Sequence, residues 1–583
     1  MRALIACFLL HSSIISVLAQ LTLPSPPWLP PENSTGAIPS NNSYPNSHWS
    51  TLIGELLYFY EAQRSGELPS TNRVSWRNGS ALDDGREDRV DLTGGYYDAG
   101  DFSKQTFPLS FTLMSICWGA TDFGRGYDLA NQTVYLDDML RWGLDWLMKA
   151  HVEESRLYVL VDNKDIGNTY WGGDRSIPTP RPIYDINNSN PGTDVAAQAS
   201  AAFAACSNLY AHRAFDNSTF STPASLRDQT YADTLLTRAQ QLYSFALNSS
   251  GGRKVYQKSV PEAASAYSSS GFGDELAIAA LFLSWGTNDP AMFHAAEDYY
   301  TRYKLSESNR VFNWDSKVPG LAVLFSQIAQ SRPETGRNLE QWKASAEQYF
   351  DDIVNKKGQS FRTDGGLVFW SGDSDHASLN PALNAAMLMH RYAPMATSEE
   401  KKKSYLSFSK SQLDYALGKN PMSIAYIVGI NPNSPSNPHH AMASGGNDIG
   451  TIDTFPNQTA RILYGALVGG PDVRDRFFDI RSDWPQTEVA LDYNAPLLTL
   501  SSMHVISGTN DPFYTSLEAG AYAKVKPSGF PCDAAFKEGC EGPTLTKEGR
   551  IAMAVVLTVV CLIIAGLSAW WIRLLVRNAR QNK

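Results

Sequence analysis

Cysteine is scarce in this chain, with six among 583 residues. That density excludes a small disulfide-dense scaffold, and no Cys or His spacing suits zinc or a redox pair. Cys7 and Cys561 fall in the apolar stretches at the two ends. Cys117 and Cys206 sit in apolar helical contexts and are expected as buried thiols rather than a bridge. Cys532 and Cys540 flank a short Gly-containing loop and make the best disulfide candidate. Charge is also modest, at 19% Asp, Glu, Lys and Arg with a net charge of −10. A negative balance argues against nucleic acid or anionic lipid as the main partner and leaves a neutral substrate open. Strand-like alternation is rare, and no residue-level repeat is evident, which weighs against a regular solenoid.

Long apolar runs occur only at the ends. MRALIACFLLHSSIISVLAQ carries an early Arg, an apolar stretch and a small-residue end at Val17-Leu18-Ala19, the pattern of a signal peptide over residues 1–19. Residues 551–572, IAMAVVLTVVCLIIAGLSAWWI, are uncharged and would span roughly 33 Å as a helix, enough to cross a bilayer. Trp570 and Trp571 suit the interface, and the basic residues Arg573, Arg577, Arg580 and Lys583 follow over 573–583. The positive-inside rule then predicts a single-pass type I membrane protein with a cytoplasmic tail and an extracellular remainder. A lipid-anchor signal would stop at the apolar run, so a true span is preferred. Eight N-x-S/T sequons (Asn33, Asn41, Asn78, Asn131, Asn187, Asn217, Asn248 and Asn457) lie on the predicted outer side and favour a glycosylated ectodomain.

Between the ends, residues 20–47 are rich in Pro, Ser and Asn and are expected as an extended linker. Residues 48–526 show no comparable break and are expected as one domain, followed by a stalk over 527–550. Three- and four-residue apolar spacing recurs in SHWSTLIGELLYFYEAQRSG, with Ser47 as cap, FPLSFTLMSICWGATDFG, VYLDDMLRWGLDWLMKAH, TDVAAQASAAFAACSNLYAHRAF, YADTLLTRAQQLYSFAL, GDELAIAALFLSWG, PAMFHAAEDYYTRY, NLEQWKASAEQYFDDIV, LNPALNAAMLMHRYA and KKSYLSFSKSQLDYALG. Paired helices of this kind predict an all-α toroid whose loops build one face. The 14 Trp and 27 Tyr provide core, and also the flat apolar faces on which sugar rings stack.

Three stretches carry chemistry. In GGYYDAGDF (94–102), Asp98 and Asp101 lie three apart, a spacing that suits a hydrogen-bonded turn or a pair of carboxylates holding one water. In NPHHAMASGG (437–446), adjacent histidines suggest a metal site, but Cys or carboxylate partners at ligand spacing are missing; neutral rings that bond ligand hydroxyls are the other functional reading, and a plain loop the third. In FFDIRSDWPQTEVALDYNAPL (477–497), Asp479, Arg481, Asp483 and Glu488 cluster before an apolar run. There Thr487 could cap a helix with Glu488 in its first turn, and Arg481 could pair with the acids.

Together these stretches resemble glycoside hydrolase family 9, the inverting endo-β-1,4-glucanases. The likeness runs over most of residues 48–520 through LLYFYEAQRSGELP, NRVSWRNGSALDDG, VDLTGGYYDAGDFSKQTFPLSFTLMSICWG, PGTDVAAQASAAFAA, YSSSGFGDELAIAALFL, LDYALGKNPMSIAYIVGIN and LYGALVGGPD. It closes on the aromatic–Asp–aromatic–Glu–Asn signature at Phe477, Asp479, Trp484, Glu488, Ala490, Asn494 and Ala495. The resemblance implies an (α/α)6 barrel acting on a β-1,4-glucan such as cellulose. It assigns Asp101 as general base, Asp98 as the partner that places the water, and Glu488 as general acid, with His439 and Asp479 in the active site. It further implies sugar binding by His440 and Arg481; Tyr267, Trp171, Trp314 and Trp370 are candidate platforms, with core packing the equal alternative for each. Inversion needs carboxyl groups about 6.5–9.5 Å apart. Two departures stand out: Ala441 occupies the place of the family's Arg, and YWGGDRSIPTPRP (170–182) lacks the usual Trp–Pro–Glu segment. Some relatives bind structural calcium, but no loop here has EF-hand spacing and no cofactor is assigned. Mixed-linkage glucan or glucomannan as substrate, and a catalytically silent glucan-binding surface protein, are the alternatives.

Overall fold

The computed structural model describes residues 20–581 apart from 33–35, 41–42, 163–168, 216–221, 309, 509 and 541–546. The expected signal peptide, Cys7, Lys583 and the sequons at Asn33, Asn41 and Asn217 lie outside the described residues. Twelve long helices build the domain among the described residues: α1 (Ser47–Ala62), α2 (Thr106–Phe123), α3 (Thr133–Ala150), α4 (Thr193–Tyr210), α5 (Gln229–Asn248), α6 (Gly273–Thr287), α7 (Pro290–Arg302), α8 (Val318–Ser331), α9 (Leu339–Val354), α10 (Leu379–Tyr392), α11 (Glu399–Ala416) and α12 (Leu491–Ser507).

Six of them close into an inner ring in the order α2, α4, α6, α8, α10, α12 and back to α2. Every residue of α2 and α4 is buried, because both sides of an inner helix face protein. Outer helices bury one stripe. In α5 it is Ala232, Leu235, Ala239, Leu242 and Ala246, at three- and four-residue spacing. The ring packs closely where side chains are small: a Cβ on Gly119 of α2 would sit 2.1 Å from the Thr499 hydroxyl of α12. This is an (α/α)6 barrel. The α8 segment is not among the periodic segments read from sequence; Pro319 and Gly320, adjacent in its first turn, carry the signature of a turn rather than of a helix.

The strands are few. β1 (Lys104–Gln105), β2 (Arg156–Val161) and β3 (Ile183–Asn187) form a small antiparallel sheet in that order, and β4 (Ser360–Arg362) pairs with β5 (Val368–Trp370). β1 begins directly after the Asp98–Asp101 segment, so the sheet anchors that loop through Lys104 opposite Val161.

Four expectations change. Cys117 and Cys206 are not free thiols: they form a disulfide that staples α2 to α4. The cap of α1 is Asn46, whose side chain accepts from the His48 and Trp49 amides, rather than Ser47. The Pro-rich run after residue 20 is extended but is not a free linker. The Leu21 amide bonds Asp137 (2.7 Å), the Trp28 amide bonds Tyr135 (2.7 Å), and Ser40 and Asn46 both bond Asp511. Beyond the barrel, the Cys532–Cys540 disulfide is present, and the segment it closes lies on the domain rather than standing off as a stalk. There the Cys532 amide bonds Asp472 (3.1 Å), Gln486 bonds Asp533 (3.1 Å) and Arg474 bonds the Cys540 carbonyl (3.1 Å). Helix α13 (Lys547–Gln581) contains an apolar stretch, Met553–Asn578, long enough to cross a membrane, and none of it is buried in the protein. The sequon residues Asn131, Asn248 and Asn457 are exposed, whereas Asn78 and Asn187 are half-buried.

The α2–α4 staple closes a loop of 89 residues. Replacing both cysteines (Cys117→Ala/Cys206→Ala) is expected to lower stability by about 2–4 kcal/mol, read as a lower urea midpoint. An unchanged midpoint would show that the bond does not contribute.

Candidate active site

The Asp98–Asp101 loop enters through Gly94 and Gly95, whose positive φ (89° and 70°) turns the chain out of the preceding segment. The Asp98 amide bonds the Ser103 carbonyl (2.9 Å), closing a tight loop. Within it the Ser103 amide and hydroxyl both donate to Asp101 Oδ1 (3.1 and 3.0 Å), which fixes the orientation of that carboxylate. Asp98 is buried, and the Tyr267 hydroxyl donates to its Oδ2.

Glu488 arrives from the opposite direction. A single helical turn, Trp484–Thr487, ends at Glu488 in extended geometry, and α12 starts three residues later. Thr487 therefore does not cap the following helix; its hydroxyl donates to the Ile480 and Asp483 carbonyls. Glu488 is fixed on both sides: its carbonyl accepts from Gly469 (2.9 Å), and the carbonyl of the preceding Thr487 accepts from His439 (2.9 Å).

The two halves meet at Gly100. Its carbonyl accepts from the Ala441 amide (2.8 Å), its amide faces the Glu488 carboxyl, and the Asp98 carbonyl accepts from the Leu491 amide (3.0 Å) at the start of α12. A Cβ at position 100 would lie 2.0 Å from the His439 carbonyl oxygen, so only glycine fits.

Four carboxyls, Asp98, Asp101, Glu488 and Asp492, thus share one partly enclosed region. Burial, then the Asp101 charge, pushes Glu488 up to about 8, against a lowering by the Gly100 amide. Burial likewise raises Asp492 to about 7, opposed by the Asn380 amide, and pushes Asp98 well above the carboxylate range, opposed by Tyr267. The site thus sets an acid that keeps its proton into the neutral range beside a second carboxyl oriented by Ser103, an arrangement suited to paired acid and base chemistry.

The remaining candidates divide. His439 keeps part of its surface; Nδ1 donates to the Arg481 carbonyl (2.6 Å), which leaves Nε2 as an acceptor, and burial lowers its pKa. Trp314 is half-buried and meets the edge of Tyr267 at 4.9 Å. Several expectations are corrected. His440 is wholly buried, with Nδ1 accepting from the Ala443 amide and Nε2 bonded to Gln63, so no ring nitrogen is left for a sugar hydroxyl. Asp479 spends its carboxylate on Ser436 and Asn437, holding the histidine loop instead of facing the other acids. Arg481 is 2% exposed and donates to the Pro456 carbonyl, which removes it from a sugar surface. Trp171 is buried behind His439 at 5.0 Å, and Trp370 lies in the core on β5. Tyr267 is half-buried, with its hydroxyl donating to Asp98.

Ala441 lies with Tyr97, Phe102, Trp171 and Met442 in a small apolar cluster under the loop, where a guanidinium would find no water. In the divergent segment, Arg181 pairs with Asp84 (2.8 Å) and donates to the Phe102 carbonyl (2.8 Å), bracing the aspartate loop from behind. Asp492 is the acid of this region that the sequence did not single out, although its place four residues after Glu488 made it detectable. Among the described residues no group of three or more His, Cys, Asp or Glu side chains could hold a metal ion. At a separate pair of acids, Asp274 and Glu275, the buried ammonium of Lys317 bonds Glu275 (2.6 Å).

The raised acid has a consequence for stability. The folded chain holds the Glu488 proton up to about pH 8, whereas the unfolded chain releases it near 4.5. The folded state thus binds the extra proton between those values, and stability present below pH 4.5 is lost as pH rises towards 8. The melting temperature of the full chain should fall from pH 5 to pH 8. In Glu488→Gln the fall should be shallower; an identical slope would contradict the raised value.

Comparison with known proteins places the chain in a family. The model of "Glycosyl hydrolase family 9" matches residues 49–501. Endoglucanase 13 of Arabidopsis thaliana is 33% identical over 476 residues, covering 78% of this chain and 92% of that protein. Endoglucanase A of Bacillus pumilus is 34% identical over 78% of this chain, which spans 66% of that longer relative. The structure of an endoglucanase from the termite Nasutitermes takasagoensis superposes with a TM-score of 0.69 at 34% identity, covering 79% of this chain and 99% of that one. The endoglucanase CelQ from Clostridium thermocellum, complexed with cellotriose, gives 0.65 at 26% identity, covering 84% and 72%. Fold, paired carboxyls and sequence agree: the chain belongs to glycosyl hydrolase family 9 and is a glycoside hydrolase of the endoglucanase kind.

Proposed function

We propose that this chain is a membrane-tethered, outward-facing endo-β-1,4-glucanase that cleaves internal glucosidic bonds with inversion. The observation that carries this reading is the convergence beside Gly100 of Glu488, which burial keeps protonated, with Asp101, whose carboxyl is oriented by Ser103. Glu488, still protonated at neutral pH, gives its proton to the departing glycosidic oxygen, and the carboxylate left behind is met by the Gly100 amide. Asp101, oriented by Ser103, takes a proton from the water that attacks the anomeric carbon from the opposite face. Asp98, held by Tyr267, helps place that water. His439 Nε2 accepts from a sugar hydroxyl, and Trp314 offers its ring to the glucan. The endoglucanase relatives and the cellotriose complex of CelQ support a glucan substrate. The apolar stretch in α13 and the basic residues after it support the tether, with the domain outside the cell.

The test uses the full chain in detergent on soluble cellulose derivatives, mixed-linkage glucan and glucomannan. Cellulose derivatives should be cut most rapidly. Asp101→Asn and Glu488→Gln should each lower kcat by about 10²–10⁴-fold, and the alkaline limb of the rate profile should fall near pH 8 as Glu488 ionises. The first product anomer, followed by NMR, should be α. An initial β anomer excludes inversion, and activity that survives both substitutions excludes these residues as the acid and base.

A further inference from the structure

Gln63 is the residue that closes the C-terminus of α1, and its side chain is completely buried. None of the proposed chemistry uses it, yet it sits between the two loops that build the site. Its main-chain carbonyl accepts from the Tyr97 amide (2.8 Å). Its side-chain Nε2 donates to the Ala99 carbonyl (2.7 Å) and more weakly to the Tyr97 carbonyl (3.3 Å), the residues on either side of Asp98. Its Oε1 lies 2.7 Å from His440 Nε2.

The direction of every bond in this chain follows from one contact. The Ala443 amide donates to His440 Nδ1 (3.0 Å), so Nδ1 must be the bare nitrogen of a neutral ring and the hydrogen must sit on Nε2. His440 Nε2–H then donates to Gln63 Oε1, which turns the amide nitrogen of Gln63 towards the aspartate loop. Flipping either group would set donor against donor or acceptor against acceptor in a buried place. Burial, then the Arg77 charge and His439, lowers the His440 pKa to about 3, so the ring stays neutral at any working pH.

We infer that Gln63 is a positioning residue for hydrolysis. With His440 it clamps the backbone on both sides of Asp98 and so sets the aim of Asp98 and Asp101 relative to Glu488. The two neighbouring histidines then have separate tasks, His439 in the site and His440 behind it. The inference rests on the proposed hydrolysis. A displacement on the order of 1 Å in such a site is enough to cost about 10²-fold in rate.

The full chain in detergent is compared as wild type, Gln63→Leu, Gln63→Glu and Gln327→Leu. Gln327 is a buried amide on α8 that bonds Trp118 and Asp122 in the barrel core, away from the aspartate loop, and serves as the control for lost buried bonds. Gln63→Leu should lower kcat by about 10–100-fold with KM little changed, and speed amide exchange in peptides covering 96–103. Gln327→Leu should lower the melting temperature without that change in kcat or exchange. Gln63→Glu is the sharper arm. Protonated, the introduced carboxyl can still donate to Ala99; ionised, it faces two carbonyls with no hydrogen to give. Its activity should therefore approach wild type in acid and fall at lower pH than wild type does. The inference is overturned if folded Gln63→Leu keeps kcat within about twofold and exchange at 96–103 unchanged, or if its loss merely follows the melting temperature as in Gln327→Leu. Hydrolysis that survives Asp101→Asn would instead defeat the proposed chemistry, and exchange at 96–103 would still judge the clamp.

Discussion

At Gly100 the aspartate loop and the histidine loop come so close that no side chain can stand between them. This contact is the constraint on which the site depends. It lets one peptide unit bond both partners, through its carbonyl to Ala441 and its amide towards Glu488. Residues nearly four hundred positions apart are thereby held at a separation fixed by backbone hydrogen bonds rather than by side chains, which have far more conformational freedom. The inner ring supplies the rigidity behind them, since α2 and α12, packed face to face, carry the ends of both segments.

Given that crossing, the electrostatics follow. Carboxyls gathered in a partly dry region cannot all ionise, and local bonds decide which keeps its proton. Ser103 donors orient Asp101, whereas Glu488 has one amide against the sum of burial and a neighbouring charge. The same local logic explains why polar groups surround the loop from behind. Arg181, Gln63 and Tyr267 each meet a main-chain carbonyl or a carboxylate that would otherwise be buried without a partner.

Much of this was legible in the sequence, and the gaps have physical causes. Inner and outer helices alike announced themselves through their apolar spacing, whereas α8 was hidden because Pro319 and Gly320 read as a turn, although both are harmless in a first helical turn. The Cys117–Cys206 bond depends on the adjacency of two helices, which no spacing rule encodes. Asp98, Asp101 and Glu488 could be picked out by motif and proved to converge. His440, Asp479 and Arg481 share those motifs, but their polar atoms are turned to backbone and to neighbouring loops; a motif marks residues that a fold needs without saying which face the ligand. The hydroxyl contact of Tyr267 to Asp98 bridges residues 169 positions apart, which no local pattern encodes.

The knot closed by Cys532 and Cys540 also limits geography. It is fastened to the segment around Asp472 and Gln486, two residues from Glu488, and only residues 541–546 separate it from α13. Even fully stretched, that leash reaches only about 20–22 Å. With α13 in a bilayer, the enzyme would be moored at the membrane surface rather than left to roam on a flexible tether. The polymer it meets would be whatever lies within a few nanometres of its own cell.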